Sequence, residues 1–207
     1  MALQSYDDLS DLHLDVLREI GNIGSGNAAT SLAGMLSQMV DISVPSIRIL
    51  DYNDAVAELG GPEAMIIGLL LFLDDEAKGM IMFLLQQEFA HMTINALLGE
   101  NIQSFLEIDE MGYSAIKEVA NIMAASYVNA ISTLTNMQIS ISVPDMCIDM
   151  LGAIMSVPAI HFANISDKII LIEDSFHGES ATAPSHILLI PDVDSLKKIM
   201  ENLGIEI

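Results

Sequence analysis

Two long stretches of the chain place apolar and polar residues on opposite sides of a predicted helix. Both stretches, residues 7–38 and 110–137, repeat apolar residues at a spacing of about 3.6 positions, which is typical of a half-buried helix. In the first stretch the apolar side consists of Leu14, Leu17, Gly21, Gly24 and Ala28. In the second it consists of Ile116, Ala120, Met123 and Tyr127. We therefore predict two long helices, each with one face against a core.

Each predicted helix is followed by the same series of elements. A strand comes next, at residues 42–50 and 139–148, and then a short helical or irregular segment, two apolar strands and a closing helix. In the first half these last elements are predicted at 53–61, 64–73, 79–86 and 88–98. In the second half they are predicted at 150–165, 168–172, 186–191 and 194–203.

This order predicts a mixed α/β (α+β) fold with pseudo-two-fold symmetry. The duplicated unit is helix–strand–strand–strand–helix, with repeats over about 7–105 and 106–207. No linker rich in Pro, Gly or Ser separates the halves. We therefore expect a single domain over residues 1–207, with a shared, mostly antiparallel sheet and long helices that carry the functional residues.

The polar sides of the two long helices carry the same spaced residues. The first copy is Asp15, Glu19, Asn22 and Pro45, and the second, 99 residues further on, is Ser114, Glu118, Asn121 and Pro144. A single Glu-x-x-Asn on a helix is most often a solvated face. A duplicated structural unit, however, has no structural need for exposed Glu and Asn at matching positions. The repeat therefore favours a functional pair.

Glu and Asn three positions apart project together from adjacent turns of one helix face. Glu offers an anionic acceptor, and Asn offers a neutral donor and acceptor that can orient a water molecule without titrating. Phosphoryl transfer depends mainly on such positioning and on charge stabilisation. The pair itself includes no nucleophile, no cluster of metal ligands and no phosphate-binding lysine. We therefore expect it to complete a site on another protein.

Composition limits the compartment in which the chain works. The sequence is 52% hydrophobic with a mean hydropathy of +0.48, but its longest apolar runs reach only about half of the roughly 20 residues that span a bilayer. No signal peptide is visible at the N-terminus, and Cys147 is the only cysteine. These features predict a cytoplasmic protein that does not insert into membranes.

The formal net charge of −22 limits the partners. Nucleic acid and anionic lipid would be repelled, because binding them needs a basic surface. The charge favours a partner with a basic patch, although acidity can also serve only to keep an apolar chain soluble. The five histidines show no metal-ligand spacing with Cys147 or with one another, so no metal site is predicted.

The pattern [Asp/Ser]-x₃-Glu-x₂-Asn-x₂₂-Pro resembles the motif of the CheC/CheX/FliY phosphatases of bacterial chemotaxis. Two copies in one chain resemble the CheC branch of that family, and the likeness extends over essentially the whole chain. The resemblance implies that the substrate is phosphorylated CheY, a response regulator with an aspartyl phosphate. Glu19 and Glu118 would then hold the regulator's active-site lysine, while Asn22 and Asn121 would orient the attacking water. Asp15, Pro45, Ser114 and Pro144 would support the motif.

The resemblance also implies that the chain has no cofactor of its own, because the Mg²⁺ of the reaction belongs to the regulator. It further implies binding to the receptor deamidase CheD and a monomeric free state. Asp149, Leu151 and Gly152 are the candidate contacts for CheD, as a small, flexible backbone after the second motif. A plain turn between strand and helix is the alternative for that segment. Glycines and Ala125 beside the motifs would let a partner come close.

Two other functions remain open from the residues alone. The chain could act mainly as a non-catalytic adaptor that regulates CheD, because a weak enzyme and a good adaptor would share these residues. It could also be a purely structural duplicated domain, which predicts binding to neither partner.

Overall fold

A sheet lies between two layers of helices in the computed structural model, which describes residues 4–37, 39–43, 45–162, 168–177 and 182–205. The helices are α1 (Asp11–Leu36), α2 (Tyr52–Glu58), α3 (Gln87–Leu98), α4 (Glu110–Thr135), α5 (Leu151–Phe162) and α6 (Val193–Asn202). The strands are β1 (Asp41–Ile42), β2 (Ser46–Asp51), β3 (Met65–Asp75), β4 (Gly79–Leu85), β5 (Ile139–Ile141), β6 (Asp145–Met150), β7 (Lys168–His177) and β8 (Thr182–Pro191). Short 3₁₀ turns occupy Tyr6–Asp8 and Phe105–Glu107.

The strands of the two halves interleave in this sheet. Its order is β1-β7-β8-β4-β3-β5, with β2 also paired to β7 and β6 also paired to β3. All these pairs are antiparallel, and β4 lies against β8 at the centre. The first strands of each half therefore pair with a strand of the other half: β1 and β2 with β7, and β5 and β6 with β3. This arrangement confirms the predicted shared, antiparallel sheet.

The strand after each long helix is interrupted, whereas the sequence predicted one strand at 42–50 and one at 139–148. The chain instead forms β1 and β2 on either side of Pro45, and β5 and β6 on either side of Pro144. Proline has no N–H to donate to a ladder, so the pairing stops there and resumes beyond it. The two strands β7 and β8 are longer than predicted, because they pair with each other from Ile170 with Leu189 to His177 with Thr182.

The first long helix is shorter than the predicted 7–38. Residues Tyr6–Asp8 form a separate 3₁₀ turn, and α1 begins after Ser10, whose backbone N–H donates to Nδ1 of His13 over 2.9 Å. The two long helices end in the same way, on a left-handed residue: Ser37 after α1 (φ 52°) and Asn136 after α4 (φ 56°). The duplication therefore extends to the helix ends.

The faces of the sheet bury two separate apolar clusters. Helices α1, α3, α4 and α6 cover one face, and α2 and α5 cover the other. Strand β4 contributes to both: Ile81 and Phe83 point into the larger cluster, and Met80 and Met82 point into the smaller one. A strand that is covered on both sides is expected to be apolar throughout, as this one is.

Close packing of α1 explains two of its glycines. A Cβ at Gly24 would lie 2.6 Å from the ring of Tyr127 on α4, and one at Gly21 would lie 2.7 Å from Ile47 on β2. Both glycines therefore serve contacts inside the protein and not the approach of a partner, contrary to the sequence-based expectation. Gly26, by contrast, is exposed, and no atom lies within 4 Å of an added Cβ there.

Candidate functional site: two grooves beside the motif helices

The predicted polar stripe of α1 faces solvent. Asp15, Glu19 and Asn22 are exposed, while Leu17 and Ile20, on the other side of the helix, are buried in the larger core. The alternation follows the helical period, so the packing of α1 against the sheet fixes which side the stripe presents. In α4 the matching residues behave alike: Ser114 and Glu118 are exposed and Asn121 is half-buried.

A groove of about 760 Å³ opens beside Asn22. One wall is the outer side of α1 from Asn22 to Ala33, and the other is the segment that carries Asp41, Ser43 and Pro45. The structure thus brings Asn22 and Pro45, which are 23 positions apart, into one depression. Glu19 and Asp15 lie on the same helix face but do not line this groove.

The second copy forms a groove of about 350 Å³. Four members of the predicted motif line it together: Ser114, Glu118, Asn121 and Pro144. The remaining lining comes from Lys117 and from the segment 141–143. The asparagine and the proline are the members common to both grooves, but the first groove extends towards the end of its helix and the second towards the start.

The two copies differ in the cation that precedes each motif glutamate. Arg18 forms an ion pair with Asp15 over 2.5 Å, and both side chains are exposed. In the second copy, Ser114 replaces the aspartate and donates its hydroxyl to the carbonyl of Glu110 over 2.9 Å. Lys117 instead lines the groove. Sequence reasoning missed Lys117, although a basic residue before the glutamate in both copies was a visible signal.

A buried polar cluster lies behind the first groove. Ser25, which lines that groove, donates to Oδ2 of Asp174 on β7 over 2.8 Å and lies 2.6 Å from the hydroxyl of Tyr127. The Tyr127 hydroxyl donates to the same carboxylate oxygen. Burial raises the pKa of Asp174 and also that of Tyr127. No sequence pattern pointed to this cluster, because its members lie 102 and 149 positions from Ser25.

The segment proposed for CheD binding passes directly from a strand into a helix and is not a plain turn. Asp149 is exposed in strand β6, but Leu151 begins α5 and is fully buried. The backbone N–H of Leu151 donates to Ala64 over 2.8 Å, and that of Gly152 donates to Pro62 over 2.9 Å. These bonds fix the junction of strand and helix. Leu151 is therefore corrected from a contact residue to a core residue, while Asp149 remains accessible.

Two further features of the described residues bear on metal binding and on membranes. No group of three or more His, Cys, Asp or Glu side chains within them is arranged to hold a metal ion. Within the same residues, none of the helices combines the length and the apolar character needed to cross a membrane.

The fold and the grooves together define a class of protein, a duplicated chain with a sheet between two layers of helices. Each of its two equivalent helices presents an asparagine in a groove that is also lined by a proline between two strands. The sequence profile of the CheC-like family matches residues 12–49 and 111–148, the two segments that contain the motifs. The chain belongs to this family, as its overall similarity to a curated member also shows.

That member is the CheY-P phosphatase CheC of Bacillus subtilis (strain 168), which is 30% identical over 204 residues, covering 96% of this chain and 97% of that protein. The flagellar motor switch phosphatase FliY of the same organism is 28% identical over 143 residues, or 69% of this chain and 37% of that protein. Among solved structures, FliY of Thermotoga maritima superposes with a TM-score of 0.75 at 22% identity, covering 95% of this chain and 98% of that one. The last comparison supports the predicted fold.

Proposed function

We propose that the chain is a phosphatase of phosphorylated CheY. The observation that carries the proposal is the pair of grooves, each lined by a motif asparagine and by the motif proline of the same copy. The relative from Bacillus subtilis, which is named a CheY-P phosphatase, supports phosphorylated CheY as the substrate, because this chain aligns with 97% of its length. The response regulator would dock on the exposed stripe of either long helix.

In the proposed reaction, water attacks the phosphorus of the regulator's aspartyl phosphate. A new O–P bond forms, the bond between phosphorus and the aspartate oxygen breaks, and the carboxylate leaves while the water's protons pass to phosphate and solvent. Asn22 or Asn121 orients the water through its neutral amide, and Glu19 or Glu118 holds the regulator's lysine. The aspartate, the lysine and the Mg²⁺ belong to the regulator, so the chain adds positioning to a site that is already largely built.

The two asparagines provide the direct test. Dephosphorylation of phosphorylated CheY is measured with the wild type, Asn22→Ala, Asn121→Ala and the double variant. Loss of a positioned water costs on the order of 100-fold, so the double variant is expected to approach the rate of the regulator alone. The relative losses of the single variants show how much each groove contributes.

Matched controls exist on the same helices. Asn27 on α1 and Asn129 on α4 are exposed, and neither lines a motif groove. Asn27→Ala and Asn129→Ala are expected to keep the wild-type rate. A double motif variant that dephosphorylates CheY at the wild-type rate contradicts the mechanism.

CheD binding is the second part of the proposal, and the exposed Asp149 on the edge strand β6 favours a contact there. Turnover of phosphorylated CheY with and without CheD separates an enzyme that CheD regulates from an adaptor. An adaptor would still bind CheD in a pull-down and keep its biological effect after Glu19→Ala and Glu118→Ala, whereas the proposed phosphatase would lose that effect.

A further inference from the structure

Lys117 is the cation that lines the second motif groove. It lies between the motif members Ser114 and Glu118 in sequence, and in the structure it shares the groove with Asn121. The whole chain has only seven Lys and Arg residues against 29 Asp and Glu. Lys117 is therefore one of few basic side chains in a strongly acidic protein.

Its counterpart in the first copy is already neutralised. Arg18 is held by Asp15 in an ion pair of 2.5 Å and does not line the first groove. The aspartate is replaced by Ser114 in the second copy, and no carboxylate of a described residue lies within 4.0 Å of the Lys117 ammonium group. Lys117 also lines a neighbouring cavity of about 260 Å³, in which Asp145 is the other charged lining residue.

An uncompensated cation here has a physical use. An aspartyl phosphate brings about two negative charges to the surface of a chain whose net charge is −22. A positive group beside the attacking water would offset that repulsion and stabilise the charge that spreads over the phosphoryl oxygens in the transition state. The long side chain can extend its ammonium group while its stem stays packed, as its half-buried state allows.

We propose that Lys117 binds the phosphoryl oxygens of the regulator's aspartyl phosphate in the second groove. The inference rests on the proposed phosphatase function and adds a phosphate-binding residue to it. Arg18 is assigned no such role, because it pairs with Asp15 and does not line the first groove.

The test is made in the Asn22→Ala chain, so that turnover reports the second groove alone. Lys117→Met keeps the apolar stem and removes the charge, and we expect kcat/KM for phosphorylated CheY to fall about tenfold, the loss typical of one charge-assisted hydrogen bond. Lys117→Arg is expected to retain at least about half of the parent value. Arg18→Met, which removes the matching cation in the first copy, is measured in the Asn121→Ala chain, where turnover reports the first groove, and is expected to stay within about twofold of that parent.

A binding measurement separates contact with the phosphoryl group from contact with the regulator's surface. The probe is the regulator loaded with beryllium fluoride, which copies the charged phosphoryl group. Lys117→Met should raise the Kd for the loaded regulator about tenfold and leave the Kd for the unmodified regulator within about twofold. Equal changes in both Kd values, or an unchanged kcat/KM, would overturn the inference.

The outcomes also distinguish this inference from the function on which it rests. A fully active Asn22→Ala/Asn121→Ala chain refutes the phosphatase mechanism itself. If that chain is inactive while Lys117→Met in the Asn22→Ala chain turns over at the parent rate, only the role of Lys117 is wrong. Urea unfolding of each variant checks the fold, and Lys117→Gln, which also removes the charge, carries the same test if Lys117→Met unfolds.

Discussion

At the scale of single residues, the cluster of Ser25, Tyr127 and Asp174 links α1, α4 and β7. Three oxygens are in mutual hydrogen-bond contact, but the two hydroxyl groups supply only two hydrogens for the three contacts. Both hydroxyl groups donate to the same carboxylate oxygen, which favours the ionised form of Asp174, whereas its burial disfavours that form. The second carboxylate oxygen of Asp174 is buried and has no hydrogen-bond partner, which adds to the cost of ionisation.

This cluster predicts a pH dependence of stability. Burial raises the pKa of Asp174, so the folded chain binds a proton more readily than the unfolded chain does. The stability contributed by the protonated group is therefore fully present below the ordinary pKa of an aspartate, 3.8, and is lost as pH rises through the raised pKa. Asp174→Asn stays neutral, so we expect its free energy of unfolding relative to wild type to increase with pH.

Urea unfolding of both proteins over a pH series from about 4 to 7 makes this comparison. Asp74→Asn, which removes the same charge from an exposed position on β3, controls for the change in net charge. Stability curves of wild type and Asp174→Asn that run parallel across the series would contradict the prediction.

At the scale of elements, the contact between α1 and α4 depends on the absence of a side chain at Gly24. Tyr127 is fully buried, and its ring occupies the space that a Cβ at Gly24 would need. The same helix contains Gly34, which is exposed and has no atom within 4 Å of an added Cβ. Packing therefore requires a glycine at position 24 of this helix but not at position 34.

We expect Gly24→Ala and Gly34→Ala to change stability in opposite directions. Gly24→Ala should lower the free energy of unfolding by about 1–3 kcal/mol, because the buried ring must shift in a filled core. Gly34→Ala should raise it by about 0.5–1 kcal/mol through helix propensity. Urea midpoints of the two variants decide the matter. A Gly24→Ala chain as stable as Gly34→Ala would show that the helices can separate without cost.

At the scale of the whole molecule, the two halves depend on each other. Strand β2 of the first half pairs only with β7, and β6 of the second half pairs only with β3, among the described residues. The central contact of β4 with β8 also joins the halves. Separating them would expose the strand edges on both sides of all three contacts, and both apolar clusters.

The halves, residues 1–105 and 106–207, are therefore not expected to fold as separate monomers, although each has about 100 residues. Neither should show a cooperative unfolding transition at concentrations where it sediments as a monomer, whereas an equimolar mixture should recover the transition. Calorimetry with analytical ultracentrifugation tests this. A half that is monomeric and unfolds cooperatively would show that the repeats are independent domains.

The sequence by itself determined the order of elements and the exposed position of the motif stripe. Both follow from local periodicity: Leu17 and Glu19 must face opposite sides once residues 11–36 form a helix, whatever the helix packs against. The family likewise followed from spacing, because the repeat of Glu, Asn and Pro is visible without coordinates. The roles of Glu19, Asn22, Glu118 and Asn121 stay predictions until the variants are measured.

Only the tertiary structure decided which partners meet. Several features depend on residues that are far apart in sequence. They are the strand pairing across the halves, the break at each motif proline, the burial of Leu151 and the contact of Gly24 with Tyr127. The same holds for Lys117, since only the structure shows that it lines the groove with Asn121 and Pro144. The local pattern of apolar and polar residues determines which side of an element a residue faces. The energy of a contact depends on which residues the fold packs against that side, and these residues are distant in the sequence.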